Sequence, residues 1–228
     1  MPVKLKSSGG GDVTIDVPST GSAFTFTVPA ISGTGITTAD TGTVSATMLA
    51  SNSVTTAKIT DANVTPAKLS QPATLMTSVT ASGQTSIPFT SIPSWVKRIT
   101  LMFNEVDHST GSTNIIVQLG DSGGVETTGY VSTGLVMVNG ASSTSASATS
   151  GFIIRSQATN PLVSGHMIIT NLSGNLWISS HAGKVTSSTA VMGGGSKTLS
   201  DVLTQINITT LNGTDTFDSG SFTVLYEG

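Results

Sequence analysis

Gly120-Asp121-Ser122-Gly123-Gly124 is the segment that most invites a chemical reading, because that order of residues surrounds some serine nucleophiles. Such chemistry needs a histidine as general base and a buried aspartate to orient it. Only His108 precedes Ser122, with Asp107 directly beside it. Neighbours on a strand point to opposite faces, so Asp107 is badly placed to support His108. A glycine-rich turn after a strand ending at Leu119 is the simpler reading. Gly193-Gly194-Gly195-Ser196-Lys197-Thr198 hints at a phosphate loop, but Ser196 stands where a glycine must precede the lysine. It reads as a flexible loop. His108, His166 and His181 are scattered, and Glu105, Asp107, Asp215 and Asp218 more readily cap backbone N–H groups than gather a cation. No catalytic, cofactor-binding or metal-ligating residue is assigned.

Recognition of sugars would use aromatic faces with polar neighbours. Trp95 heads an apolar strand and is expected in the core. Trp177 lies between Leu176 and Ile178; if those two face inward, Trp177 faces solvent or a neighbouring subunit. Tyr130 sits in a polar stretch, Gly129-Tyr130-Val131-Ser132. Trp177 and Tyr130 are therefore the candidate receptor or interface contacts.

The elements that must position these residues are β-strands. Charged residues are 9% of the 228, against ~25% in an ordinary domain. Ser and Thr, about a third of the chain, and 25 Gly take their place. Thr favours strands and Gly makes turns. The net charge of −3, with no run of Lys or Arg, argues against a nucleic-acid surface. No segment approaches the ~18 apolar residues of a membrane helix. With no cysteine there is no disulfide framework or thiolate metal site.

Three regions separate by texture. In residues 1–40, a glycine run precedes the alternating segments Asp12–Val17 and Phe24–Val28, read as two short strands. Residues 41–70 repeat with a period of ten: Val44, Val54 and Val64 share one column, and Leu49, Ile59 and Leu69 another. In Val64-Thr65-Pro66-Ala67-Lys68-Leu69, Thr65 is placed as a helix N-cap and Pro66 as the first helical residue. Each unit offers about two large apolar groups, too few to offset ~1–2 kcal/mol of ordering cost per residue. Three chains wound about an axis would supply walls for one another, so the region is expected to form a trimeric neck.

Residues 71–228 show short alternating segments with turns between them. Strands are expected at 75–80, 84–89, 95–103, 114–119, 135–138, 151–155, 165–171, 175–180, 204–211 and 221–227. Asn212-Gly213 is a hairpin signal. Residues 141–150, nearly all Ala, Ser and Thr, read as a flexible surface loop, and 199–203 as the one helical turn. The expected class is all-β: a C-terminal sandwich of jelly-roll type after an extended neck and a short N-terminal β segment.

The opening Met1-Pro2-Val3-Lys4-Leu5-Lys6-Ser7-Ser8-Gly9-Gly10-Gly11-Asp12-Val13 resembles the start of many phage fibre proteins. Val54-Thr55-Thr56-Ala57-Lys58-Ile59 and Val64-Thr65-Pro66-Ala67-Lys68-Leu69 resemble the Val-Thr-x-Ala-Lys-Leu repeats of phage tail fibres. The ending Phe217–Glu227 is similar to the last strand of their small distal domain. The resemblance implies an elongated homotrimer, not an enzyme, in a virion assembled in the bacterial cytoplasm. Its N-terminus would attach to another tail or capsid protein, and its C-terminal knob would meet a host-surface glycan or protein. A capsid head fibre or a decoration (cement) trimer suits the length equally. A reading of another class is a monomeric carbohydrate-binding module.

Overall fold

A computed structural model describes residues 3–6, 8–15, 49, 51, 54, 55, 59, 64, 65, 68–109, 113–156 and 161–228. The chain divides into two units, Met1–Lys58 and Ile59–Gly228, a division that falls inside the ten-residue repeat. The described residues form sixteen strands and no α-helix.

In the first unit, β1 (Val3–Lys6) pairs antiparallel with β2 (Asp12–Ile15), Lys6 opposite Asp12. The turn between them uses Gly10 at φ +87°, a conformation glycine adopts without a Cβ penalty. Of the two segments expected here, Asp12–Val17 supplies β2, and its partner is the preceding segment Val3–Lys6. The expected strand at 24–28 lies outside the described residues.

The second unit holds two antiparallel sheets. The larger contains β3 (Thr74–Leu75), β4 (Val79–Thr80), β6 (Arg98–His108), β9 (Tyr130–Val138), β10 (Thr144–Ala148), β12 (Val163–Ser173), β13 (Leu176–Thr186), β14 (Thr189–Thr198) and β16 (Phe217–Glu227). Its order is β10-β9-β14-β13-β12-β6-β16-β3, with β4 also on β16. The smaller contains β5 (Ser86–Phe89), β7 (Ile115–Asp121), β8 (Gly124–Val125), β11 (Phe152–Ile154) and β15 (Gln205–Thr210). Its order is β11-β7-β15-β5, with β8 on β7.

Alternation explains how the sheets meet. Ile99, Leu101 and Phe103 of β6 are buried, and so are Ile115, Val117 and Leu119 of β7, as their spacing requires. These faces join Phe152, Ile154, Ile206, Ile208, Phe222 and Val224 in one core. Both sheets therefore contribute to the same interior. Aromatic edges lock it: Tyr130 meets Phe152 at 5.1 Å and 89°, and Phe217 meets Phe222 at 5.5 Å and 74°. Trp95 packs partly buried against this core, edge-on to Tyr226.

Every residue of β7 is buried. Its second face is covered locally, where Ile116 and Ile153 pack with Ala148. The segment 141–150, expected as a loop, thus contains strand β10. Its small residues let it lie close to Ile116 and Ile153. Gln118 Nε2 donates to Ser150 O at 3.0 Å, which satisfies a polar side chain on the same covered face.

Three further expectations change. The glycine run 193–195 is the middle of β14. A Cβ at Gly193 would strike the carbonyl of Thr133 and the ring of His181, and one at Gly195 would strike the carbonyl of Val131. Close approach of neighbouring strands, not a flexible loop, accounts for those glycines. Asn212-Gly213 makes a turn, with Gly213 at φ +71°, but β15 and β16 lie in different sheets, so it is a crossover and not a hairpin. Leu199 and Leu203 reach the core from a segment without helix.

Gly193→Ala is expected to lower stability by about 1–3 kcal/mol, because backbone carbonyl and ring must both move. Urea unfolding of this variant beside Ser142→Ala, an exposed position expected to change little, measures the difference.

Candidate functional site

The Gly-Asp-Ser-Gly-Gly segment is a tight turn between β7 and β8, with Ser122 exposed at its tip. Asp121, not Ser122, does the structural work. Its Oδ1 accepts from Gly123 N–H at 2.8 Å, and its Oδ2 accepts from Ser200 Oγ–H at 2.7 Å. Glu126 Oε1 accepts from Ser200 N–H at 2.7 Å and faces Ser200 Oγ at 2.8 Å. Lys197, 5% exposed, forms an ion pair with Glu126 Oε2 and lies 5.3 Å from the Tyr130 ring centroid. Tyr130 is itself 2% exposed, and its hydroxyl accepts from Leu119 N–H at 2.6 Å.

Electrostatics follow from these partners. The Ser200 and Gly123 donors hold the Asp121 carboxyl below its ordinary range, against a smaller opposing effect of burial. Burial works to raise the Glu126 carboxyl, but Lys197 and Ser200 together outweigh it and leave it lowered. The cluster ties β14, the start of β9 and the β7–β8 turn together by charge.

His108 pairs with a different serine. Its Nε2 lies 2.9 Å from Ser156 Oγ, which also accepts from Ile115 N–H at 3.0 Å. Ser156 is fully buried. Asp107 accepts from the backbone N–H of His108 and is turned to its own chain. Burial lowers the His108 pKa, and Asp107, Asp215 and Asp218 pull it partly back. Among the described residues, no three His, Cys, Asp or Glu side chains gather as a metal site.

The two candidate contact residues are both interior. Trp177 is 4% exposed, whereas Ile178 is 41% exposed. The inward face of β13 is Trp177, Ser179 and His181, opposite Lys197, Gly195 and Gly193 of β14. Two aliphatic neighbours had suggested the opposite phase; the indole fills the core instead because it is the larger apolar group. Tyr130 begins β9 rather than sitting in a loop, and its ring is enclosed by Phe152 and Lys197. Neither has surface for a receptor.

Of the repeat residues, Leu49, Val54, Ile59, Val64 and Leu69 are 46%, 54%, 41%, 52% and 49% exposed. Val44 lies outside the described residues. Lys68 N–H donates to Thr65 O at 2.9 Å; Pro66 and Ala67, on which the expected capped turn depends, lie outside the described residues.

The outer face of the larger sheet carries an open depression of about 590 Å³. Leu135, His166, Ala182 and Met192 line it, with Thr133 and Ser180. Asp121, Lys197 and His166 were met in the sequence only within other patterns, and their grouping with Glu126 and Ser200, or with Leu135, Ala182 and Met192, was not anticipated. The available signal for the cluster was the rarity of charge: a lysine inside a Ser/Thr/Gly strand needs a partner.

No family model, curated protein or solved structure matches this chain.

Lys197→Met leaves Glu126 without its cation and is expected to cost about 1–3 kcal/mol, read from denaturant unfolding. Burial pushes the His181 imidazole down to about 4 from an ordinary 6.5. The folded state therefore holds a neutral ring, and protonation favours the unfolded chain. Stability from this group is complete above pH ~6.5 and falls towards pH ~4 by up to ~1.4 kcal/mol per unit. His181→Met is expected to flatten the loss between about pH 6.5 and 5, above the range in which Asp121 and Glu126 begin to titrate.

Proposed function

We propose that this chain is a structural and adhesion subunit of a bacteriophage virion, a homotrimeric fibre. Residues 1–40 attach it to a tail or capsid protein, 41–70 form an intertwined neck, and 71–228 form the knob. One observation carries the reading: five bulky apolar residues at five-residue intervals, Leu49 to Leu69, are each about half exposed in the single chain. A regular row of this kind has no reason to persist on a free surface. Sister chains about a common axis bury it.

The knob fits this role. Strand β6 pairs with β16, and β7 pairs with β15, so the first long strands nest against the last. That nesting supports a jelly-roll type of sandwich, a compact scaffold suited to the end of a fibre. Burial of Trp177 and Tyr130 takes away the two rings that were put forward for a monomeric sugar-binding module. Adhesion would then come from multivalency, where three weak contacts per trimer gain ~10²–10⁴ in avidity when the geometry permits. Attachment to the capsid, as a head fibre or decoration trimer, shares every one of these features.

Sedimentation of the full chain, and of a chain lacking residues 41–70, is the test. A three-chain mass for the first and a loss of trimer for the second are expected. A full chain that stays single at high concentration would overturn the reading.

A further inference from the structure

The larger sheet turns Phe103, Phe222, Trp177 and Tyr130 into the core. Its opposite face follows from the register. Met102 lies beside His166, His166 beside Ala182, Ala182 beside Met192, and Met192 beside Leu135. That row crosses five strands without a Lys, Arg, Asp or Glu. The adjacent row runs from Leu75 through Leu225 and Thr100 to Ile168 and Ser180. Leu75 is 63% exposed and Met192 43%. The solvent face of an antiparallel sheet is ordinarily polar, and a broad uncovered apolar face marks a contact.

Two ion pairs bracket the face. Arg98 pairs with Glu227 at 3.3 Å on one side, and Lys184 pairs with Glu105 at 2.8 Å on the other. Hydrogen bonds from Lys184 and Ser164 hold the Glu105 carboxyl low, so it stays ionised beside its lysine. Each charge is thus matched within its own chain. In a ring of three copies one edge of a face meets the other edge of the next copy, so a charge left unmatched on either edge would have to find its partner there. A face whose charges cancel locally is compatible with itself. A sugar is the poorer occupant, because neither row presents an aromatic ring.

We propose that the Met102–His166–Ala182–Met192–Leu135 face is where the knobs of sister copies meet, with the depression at its centre filled by a neighbouring chain. This inference rests on the trimeric reading and names the surface that completes it. The test exploits the absence of cysteine. Met192→Cys and Ser122→Cys each place one thiol on the full-length protein, the first on the face and the second at the exposed β7–β8 turn.

In the native assembly, Cys at 192 is expected to react with a maleimide more than an order of magnitude more slowly than Cys at 122, and equally fast once both are unfolded. Met192→Glu is expected to shift sedimentation towards smaller species while the far-ultraviolet spectrum stays that of the parent. Equal labelling of both sites in an assembled oligomer would overturn the inference and leave the trimer standing. A parent chain that sediments as a single copy would overturn both.

Discussion

Burial of β7 on both faces is the constraint around which the second unit is organised. A strand with only one covered face could rest at the edge of a sheet. Ile115, Val117 and Leu119 look into the shared core, whereas Ile116 and Gln118 look away from it and still have no access to water. Cover for the second face has to come from elsewhere in the chain, and β10 with Ser150 supplies it. The smaller sheet is thereby held from both sides. The pairings of β6 with β16 and β7 with β15 join segments about a hundred residues apart, so both sheets depend on contacts that close long loops.

Charge is used sparingly and in matched sets. Lys197 is buried against Glu126 and Tyr130, with Asp121 held on the same side by Ser200. A buried ion pair adds little net stability compared with an apolar packing of the same volume. What it adds is a set of polar contacts shared by β14, Ser200, Glu126 and the β7–β8 turn. On the outer face the same economy leaves a wide region with no net charge. In a single copy that region is a liability for association.

Some expectations failed for physical reasons that are visible in particular residues. The Leu176-Trp177-Ile178 triplet has a clear alternation, but alternation gives a period and not a phase. Phase is set by what the neighbouring strands offer, and β12 and β14 offer Asn171 and Lys197 opposite Trp177. Gly193 to Gly195 looked like a flexible link because glycine lowers strand propensity. The same glycines are what allow the strands beside β14 to come close. Residues 141–150 lack large side chains, so they carry no periodic signal, yet small side chains are what a strand laid over Ile116 and Ile153 requires.

Composition and alternation by themselves determined that this chain is all-β, without disulfides. Most strands of residues 71–228 were placed by alternation, and the ten-residue spacing was already present as a pattern of bulky groups. These properties are local: each depends on a few residues and on the two-residue period of the extended chain. Tertiary structure alone decided which face of β13 is inside, that Ser156 rather than Ser122 meets His108, and that Asp121, Glu126, Lys197 and Ser200 form one cluster. Those outcomes depend on pairings between segments far apart in sequence, and no local period carries that information.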